Sequence, residues 1–200
     1  GRVVDFEAGE TILKAAKRAG IFIPTLCHFA PLDHTPGTCR VCLVEVTDAK
    51  GNTQIVTSCN TPIEEGMAIN TRSAKVRSMQ KMQVEMIFAD HDQDCIACAR
   101  HGNCELQDLG VYVGLTSNRY SKKVPVERPF DDSMNGMVRD MTKCIRCMRC
   151  VAVCRKVQGV SALSMDGEGT GSHVGVGMAS NQAASACIQC GQCTIVCPPG

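Results

Sequence analysis

The chain has 200 residues with 15 Cys, no Trp, two Tyr and five Phe, and its formal net charge is +1. So few large aromatic side chains leave little apolar area for a conventional core, so we expect disulfides or metals to stabilise small lobes. The near-zero charge gives no indication of a nucleic-acid partner, and no apolar run reaches the ~20 residues of a membrane span.

The cysteine pattern favours metal ligands over disulfide bonds. The cysteine count is odd, and neighbouring cysteines recur as C-x2-C, which is typical of metal sites in a reduced compartment. No signal peptide is visible, although the chain begins at Gly1 instead of Met, so a leader removed before this point is the alternative. Because the chain stops at Gly200, one residue after a Cys-Pro-Pro sequence, we expect a longer polypeptide to continue beyond it.

Residues 1–72 form the first predicted domain. In chain order they predict a strand over 3–6, a helix over 11–19 and strands over 41–46 and 53–57. Strand, helix, cysteine-bearing loop and hairpin together predict a small β-grasp domain. Its cysteines have the spacing C-x11-C-x2-C-x16-C and are Cys27, Cys39, Cys42 and Cys59.

These four cysteines are candidate ligands of a 2Fe–2S cluster. Four thiolates, one of them distant along the chain, suit a plant-type site, although the usual spacing there is C-x4-C-x2-C. A zinc ribbon is the alternative, because zinc also binds four thiolates. Gly37, two residues before Cys39, is expected to let the backbone come close to the cluster.

Residues 73–115 form the second predicted domain, which begins with a helix over 73–89. Apolar side chains recur along this helix at helical spacing, and we assign them to packing: Val76, Met79, Met82, Met86 and Ile87. The helix leads to the cysteines Cys95, Cys98 and Cys104. If these three cysteines bind a 4Fe–4S cluster, the cluster needs a fourth ligand. Both His91 and His101 are close by, and the spacing alone does not choose between them.

A polar linker over 116–136, which carries Lys122 and Lys123, is predicted to precede a third domain over 137–200. In this domain C-x2-C-x2-C-x3-C occurs twice, with a period of 43 residues. In ferredoxins with two 4Fe–4S clusters, the fourth cysteine of such a motif ligates the other cluster. By that rule one cluster takes Cys144, Cys147, Cys150 and Cys197, and the other takes Cys187, Cys190, Cys193 and Cys154. Paired zinc sites are the alternative, although zinc gains nothing from a third closely spaced cysteine.

The sequence between and around the two motifs carries two further expectations. The Gly-rich stretch over 167–177 has no accompanying phosphate-loop residues, and we interpret it as a flexible surface connection. Six cations lie near the first motif with Asp140 as the only nearby acid: Arg139, Lys143, Arg146, Arg149, Arg155 and Lys156. Residues 181–200 carry no ionisable group except thiols. We therefore expect the cluster on the first motif to be the easier one to reduce, unless these cations only face water or an acidic partner.

A resemblance to a known family covers nearly the whole chain. H-x3-C-x2-C-x5-C, which runs from His91 to Cys104, resembles a cluster motif with one histidine and three cysteine ligands. That motif belongs to the large iron–sulfur subunit of complex I and to iron-only (di-iron) hydrogenases. The chain is similar, in order, to the N-terminal accessory region of those hydrogenases, and the segments 105–107 and 187–193 are especially similar.

The resemblance implies an α+β fold made of three parts. They are a ferredoxin-like 2Fe–2S domain, a domain with a histidine-ligated 4Fe–4S cluster and a two-cluster 4Fe–4S ferredoxin domain. It also implies that His91, together with Cys95, Cys98 and Cys104, holds the middle cluster. The catalytic site is then expected in a domain or subunit beyond Gly200.

One 2Fe–2S and three 4Fe–4S clusters predict an electron-transfer relay, and no complete active site is visible in the chain. We expect the accessory region of an iron-only hydrogenase linked to NAD(P) or ferredoxin. The alternatives are the same module in an NAD-dependent formate dehydrogenase or a diaphorase/NADH dehydrogenase subunit, and a zinc-stabilised interaction protein. The expected partners are a catalytic domain and either a flavin-containing iron–sulfur subunit that oxidises NAD(P)H or a ferredoxin. The expected compartment is the cytoplasm of an anaerobic prokaryote.

Overall fold

The computed structural model describes residues 1–120 and 127–200. In the first block, α1 (Ile12–Arg18) begins after Thr11, whose Oγ1 accepts a hydrogen bond from the backbone N–H of Lys14 at 3.4 Å. Gly20 follows the helix with φ +70°, a conformation that ends the helix at little steric cost. The helix predicted over 11–19 is therefore present, with its two end residues serving as caps.

No helix in the described ranges is long and apolar enough to cross a membrane.

An antiparallel sheet in the order β2-β1-β3 packs against α1. Its strands are β1 (Leu43–Thr47), β2 (Thr53–Thr57) and β3 (Ala68–Asn70). The β1–β2 hairpin closes on Asp48, whose Oδ1 accepts hydrogen bonds from the backbone N–H groups of Lys50 and Asn52 at 2.9 and 2.8 Å. The helix and the sheet bury one apolar cluster that includes Ile12, Leu13, Val44, Val46, Cys42 and Cys59.

Two of the predicted strands differ from the structure. Residues 3–6 form no strand, and Val3 is fully exposed. The segment borders a cavity that Ile12, Ala15 and Ile69 also line, so it lies beside α1 and β3 without pairing with the sheet. The strand predicted over 41–46 begins two residues later, at Leu43, because Val41 and Cys42 belong to a turn. The strand predicted over 53–57 is β2 as expected.

In the second block, α2 (Ala74–Ala89) begins after Ser73, whose Oγ accepts a hydrogen bond from the backbone N–H of Val76 at 3.2 Å. The predicted packing face is only partly correct, because Met86 is 41% exposed. The buried residues of the helix are Val76, Gln80, Val84 and Glu85. Burial of the polar Gln80 side chain is tolerated because its Nε2 donates a hydrogen bond to the carbonyl of Leu43 at 3.0 Å. This hydrogen bond joins α2 to β1.

One apolar cluster joins all three blocks of the chain. α3 (Glu105–Tyr112) packs on α2 and contributes Leu106 and Leu109 to this cluster. Cysteines from each block lie in the same cluster, namely Cys27, Cys39, Cys104 and Cys147, together with Leu26, Val41 and Val84. The blocks therefore share a core, which holds their cysteine loops against one another.

Two hairpins and two helices form the third block. They are β4 (Phe130–Met134) with β5 (Met137–Asp140), α4 (Arg149–Lys156), β6 (Ser164–Asp166) with β7 (His173–Gly175), and α5 (Gln192–Ile195). β4 lies inside the predicted linker over 116–136. Asp131 holds this polar strand in place, since its Oδ2 accepts a hydrogen bond from the backbone N–H of Gln182 at 2.7 Å. Lys122 and Lys123 lie outside the described residues.

The Gly-rich stretch over 167–177 is partly ordered, in contrast to the expected flexible connection. Its residues 173–175 form β7, which pairs with β6. Gly175 needs to be glycine there, because a Cβ on it would overlap with Oδ2 of Asp166. The guanidinium of Arg139 also donates a hydrogen bond to the carbonyl of Val174. The stretch is therefore part of the support for the third block.

Candidate metal centres

The cysteines of the first block meet as two pairs of thiols. All four are at most 6% exposed: Cys27, Cys39, Cys42 and Cys59. A hydrogen bond with the Cys39 thiol lowers the pKa of Cys27 to about 5. A hydrogen bond with the Cys59 thiol lowers the pKa of Cys42 to about 7. The Cys27 charge also acts on both Cys42 and Cys59, so the two pairs are neighbours.

The same hydrogen bonds raise the pKa of the two donor thiols, Cys39 and Cys59, and burial raises these pKa values further. Full deprotonation of the set therefore requires a bound cation, and thiolates are the form in which cysteine binds metals. Four buried sulfurs in two neighbouring pairs are a donor set that fits a 2Fe–2S cluster.

The loop around Cys39 has an unusual backbone. Arg40, between Cys39 and Cys42, has φ +51°, a conformation that costs a non-glycine residue about 1–2 kcal/mol. Gly37 has φ +67°, and a Cβ on it would lie 2.9 Å from Nδ2 of Asn60. We expected Gly37 to let the backbone come close to the cluster. In the structure, its positive φ and the nearby Asn60 side chain are the reasons for glycine at this position.

In the second block, one cavity is lined by the three cysteines and by both candidate histidines: His91, Cys95, Cys98, His101 and Cys104. The two rings differ in environment. Burial lowers the pKa of His91, and its Nδ1 is buried without a hydrogen-bond partner in the described chain. His101 is exposed, and its Nδ1 pairs with Nε2 of Gln107 at 3.3 Å.

This difference tests whether the residues fit a cubane with one histidine ligand. A buried, unpaired ring nitrogen is costly unless it binds something, and a neutral imidazole nitrogen is a good metal ligand. The Nδ1 of His91 meets that condition. Three thiols and one such nitrogen on one cavity therefore fit the group.

The third block has two neighbouring cavities. The first, of about 100 Å³, is lined by Cys144, Cys147, Cys150 and Cys197. The second, smaller cavity is lined by Cys154, Cys187, Cys190 and Cys193. Cys193 lines both cavities, so they are adjacent. The crossover rule of two-cluster ferredoxins assigns Cys193 to the second set, and with it these eight cysteines divide into the two predicted sets of four.

Apolar burial dominates the environment of the first cavity. Burial raises the pKa of Cys147 to about 12 and that of Cys197 to about 11, and it raises the pKa of Cys150 well above its usual range. Thiols in such surroundings ionise when a metal binds and not before. In the second cavity Cys190 is exposed, so this site lies nearer to the surface.

The internal repeat is visible in the backbone. Arg146 and Gln189, which are 43 residues apart, both have φ +56°. Met148 and Gly191, also 43 residues apart, have φ +61° and +69° and precede α4 and α5. Left-handed residues beside right-handed ones turn successive N–H groups toward one side and form concave sites for anions. A cluster with four thiolates is anionic, so the repeated loops suit it.

Four of the six cations around the first motif form ion pairs, in contrast to the expectation from the sequence. Two of the acids, Asp90 and Glu105, come from the second block. The pairs are Arg139–Asp131 at 3.7 Å, Lys143–Asp140 at 3.6 Å, Arg146–Asp90 at 2.5 Å and Arg149–Glu105 at 2.8 Å. The assumption that Asp140 is the only nearby acid is therefore wrong. Neutralisation of these four cations weakens the charge argument for the first cluster, and its easier reduction stays a prediction.

Several residues that join the centres have no sequence signal. His34 of the first block donates its Nε2–H to the backbone carbonyl of Cys147 at 3.0 Å, since a carbonyl can only accept. The backbone N–H of Glu105 donates to the carbonyl of Pro198 at 3.2 Å. Asp90 accepts hydrogen bonds from Arg128 and Arg146. Each contact spans a long sequence separation, so no local motif could have indicated it.

Three family models match consecutive parts of the chain. Residues 1–74 match a 2Fe-2S iron-sulfur cluster binding domain, and residues 80–119 match the NADH-ubiquinone oxidoreductase-G iron-sulfur binding region. Residues 143–200 match a 4Fe-4S dicluster domain. The predicted α+β chain is thus a series of small mixed α/β iron–sulfur domains.

Curated relatives match over nearly the full chain. The HndD subunit of the NADP-reducing hydrogenase of Solidesulfovibrio fructosivorans is 36% identical over 100% of this chain and 34% of its own length. A subunit of the NADH-quinone oxidoreductase of Rhizobium meliloti is 34% identical over 98% of this chain and 22% of its own length. The mitochondrial NADH-ubiquinone oxidoreductase 78 kDa subunit of Neurospora crassa is 31% identical over 90% of this chain and 24% of its own length. This chain therefore spans between about a fifth and a third of the length of these relatives.

A solved structure has the same fold over nearly the whole chain. It is a chain of an NAD+-reducing [NiFe]-hydrogenase, with a TM-score of 0.86 and 29% identity, and the match covers 98% of this chain and 81% of that one. The expected restriction to iron-only hydrogenases does not hold for this neighbour, whose hydrogenase is nickel–iron. The resemblance thus extends to hydrogenases linked to pyridine nucleotides as a wider group.

Proposed function

We infer that this chain, which belongs to the iron–sulfur modules shared by pyridine-nucleotide-linked hydrogenases and the large complex I subunit, is an electron relay with one 2Fe–2S and three 4Fe–4S clusters. The observation that carries this proposal is the grouping of fifteen free cysteines into four sets of neighbours. So many soft sulfur donors in apolar surroundings suit iron–sulfur clusters better than any other common cofactor.

The proposed ligands are those that the sequence predicts. The 2Fe–2S set is Cys27, Cys39, Cys42 and Cys59. The 4Fe–4S sets are His91, Cys95, Cys98 and Cys104, then Cys144, Cys147, Cys150 and Cys197, and finally Cys187, Cys190, Cys193 and Cys154. His91 is preferred to His101 because its Nδ1 is buried and unpartnered within the described residues, whereas His101 pairs with Gln107.

When bound, such clusters supply reversible one-electron transfer at potentials that depend on cluster type, charge and exposure. The chain's own residues hold the sites in place and exclude water from them. The loop that follows Cys27 reaches the third block through His34, whose Nε2–H binds the carbonyl of Cys147. The first residue of α3, which directly follows Cys104, reaches it through the hydrogen bond from the Glu105 N–H to the Pro198 carbonyl. These contacts support short paths from both sites to the cluster on Cys144, Cys147, Cys150 and Cys197.

The proposed enzyme is a hydrogenase that exchanges electrons with NAD(P). The relay would connect its hydrogen-converting site, outside these 200 residues, with a flavin-containing iron–sulfur subunit that oxidises NAD(P)H, or with ferredoxin. An iron-only catalytic site, as the sequence resemblance implies, is the finer proposal, and the nickel–iron neighbour is its direct competitor. Because thiolate ligands need reducing conditions, the cytoplasm of an anaerobic prokaryote is the proposed compartment.

A second candidate is the same relay in an NADH dehydrogenase subunit. The complex I relatives, at 34% and 31% identity, favour it almost as strongly as the hydrogenase relative at 36%. The whole enzyme, purified from its source, separates the two. Hydrogen-dependent reduction of NAD(P) would support the hydrogenase, whereas NADH-dependent quinone reduction without hydrogen conversion would support the second candidate.

The cluster content is tested on the chain itself after anaerobic reconstitution with iron and sulfide. We expect about 14 iron atoms per chain, the sum of one 2Fe–2S and three 4Fe–4S clusters, with matching acid-labile sulfide. About 10 iron atoms would mean that one cubane is absent and would remove the His91 site first from the proposal. Little iron together with several zinc atoms would replace the relay with a zinc-stabilised interaction protein.

A further inference from the structure

A single buried guanidinium contacts both neighbouring blocks. Arg149 is the first residue of α4 and lies between Cys147 and Cys150, and its side chain is only 7% exposed. Its Nη1 and Nη2 donate hydrogen bonds to Oε1 and Oε2 of Glu105 at 2.8 and 2.9 Å. Glu105 belongs to the second block and directly follows Cys104. Arg149 and Glu105 thus form a bidentate ion pair between the segments that carry two of the proposed centres.

The same guanidinium lies against an aromatic ring of the first block. Cζ of Arg149 is 5.5 Å from the centroid of the Phe29 ring, within the range of a cation–π interaction. Phe29 is two residues after Cys27. Arg149 thus touches a residue within two positions of a proposed ligand in the first and second blocks, and it is itself adjacent to one in the third.

These two contacts require an arginine. A planar guanidinium can bind a carboxylate with two parallel hydrogen bonds while its face lies on a ring, whereas the ammonium of lysine is a point charge without a planar fork and cannot make both contacts in this way. An ion pair of this kind is weak support for stability, because apolar residues of similar shape are often as stabilising. The contacts of Arg149 with Glu105 and Phe29 are therefore better explained by a role in positioning the three segments than by a contribution to stability.

We propose that Arg149 is a positioning residue that fixes the cysteine segments of the three blocks relative to one another and so sets the distances between the clusters. The proposal rests on the proposed function as a multi-cluster relay. The hydrogen bond from the Glu105 N–H to the carbonyl of Pro198 extends the same connection to the segment that follows Cys197.

The test uses the full chain, reconstituted with iron and sulfide, in the variants Arg149→Met and Arg149→Lys. Arg155→Met is the matched control, because it removes the same charge from an exposed position of the same helix. The measurement is the acceleration of electron-spin relaxation in the reduced 2Fe–2S cluster when the neighbouring cubanes are also reduced. Iron content and the individual spin signals are recorded for every variant.

We expect both Arg149 variants to keep their iron and individual signals but to lose about half or more of the acceleration, since segments without this contact sit about 1 Å too loosely. The Arg155→Met protein should match the wild type. Wild-type acceleration in both Arg149 variants would overturn the positioning role and leave the relay intact. A wild-type chain without cluster signals would instead overturn the proposed function.

A second variant covers the case in which Arg149→Met takes up no iron. Glu105→Gln leaves Arg149 and every thiol in place but removes the carboxylate that holds the guanidinium. Reduced acceleration in Glu105→Gln would support the proposal. Unchanged acceleration in that variant would overturn it.

Discussion

Two histidines border the cavity of the second block, and their ring nitrogens have different surroundings. The Nδ1 of His91 is buried and has no hydrogen-bond partner within the described chain, whereas that of His101, an exposed residue, pairs with the Gln107 side chain. A buried nitrogen without a partner carries an energetic cost that a metal bond would remove. At the scale of single residues, this difference gives a physical reason for choosing between ligands that spacing leaves equivalent.

Exchange of His91 for cysteine should lower the reduction potential of the cluster in the second block. A thiolate adds one negative charge where the imidazole is neutral, which disfavours the reduced state, and we expect a shift on the order of 100 mV. The measurement is a redox titration of the reconstituted chain followed by electron paramagnetic resonance. His101→Cys is the control and should leave the potential of this cluster unchanged. A potential in His91→Cys at or above the wild-type value would refute the assignment.

At the scale of secondary-structure elements, the third block depends on contacts between short hairpins and the cysteine loops. The carboxylate of Asp90, at the end of α2, accepts hydrogen bonds from Arg128 at 2.6 Å and from Arg146 at 2.5 Å. Arg146 lies between Cys144 and Cys147. The end of α2 is thereby joined to the loop that carries the first cysteines of the repeat.

Replacement of Asp90 by asparagine should destabilise the contact between the second and third blocks. The Arg128 side chain is 2% exposed and would lose its carboxylate, and breaking a buried ion pair typically costs about 3–5 kcal/mol. Urea unfolding of the reconstituted chain measures this change in the free energy of unfolding. Asp132→Asn, at an exposed position of β4, serves as the control and should change it by less than about 0.5 kcal/mol. Equal values for the two variants would contradict the predicted role of Asp90.

The β6–β7 hairpin offers a second test at this scale. A methyl group at Gly175 would displace Asp166, whose Oδ1 accepts a hydrogen bond from Ser164 and whose Oδ2 accepts one from the N–H of Gly177. We expect Gly175→Ala to lower the free energy of unfolding by about 1–3 kcal/mol. Gly171→Ala is the control in the same segment, because a Cβ there would meet no atom within 4 Å. Denaturant unfolding of both variants should separate them, and a neutral Gly175→Ala would show that the hairpin adapts.

At the scale of the whole molecule, the cysteines are part of the packing. Cys27, Cys39, Cys104 and Cys147 lie in the apolar cluster that joins the three blocks, and Cys42 and Cys59 lie in the core between α1 and the sheet. Metal bound by these side chains therefore holds together the same contacts that define the fold. Folding and cluster binding are expected to be coupled.

Removal of iron should consequently unfold much of the chain. We expect anaerobic chelation to abolish the cooperative thermal transition seen by circular dichroism, because structural metals in small domains contribute roughly 10 kcal/mol or more. Iron and sulfide added back should restore the transition, and zinc alone should not. Recovery with zinc alone would favour the zinc-stabilised protein, and an apo chain with the wild-type transition would show that the fold does not depend on metal.

The sequence by itself determined the number and spacing of the cysteines, the capped helices α1 and α2, the β1–β2 hairpin and the repeat in the third block. These features depend on local spacing and on turn and cap residues, so they can be interpreted from neighbouring positions. Tertiary structure alone decided the pairing of Arg146 with Asp90 and of Arg149 with Glu105, the strand β4 in a polar segment and the surroundings of His91 and His101. The two ion pairs and the hydrogen bond between β4 and Gln182 join residues that are far apart in the chain, and the burial of the His91 Nδ1 exists only in the folded protein, so neighbouring positions cannot indicate them.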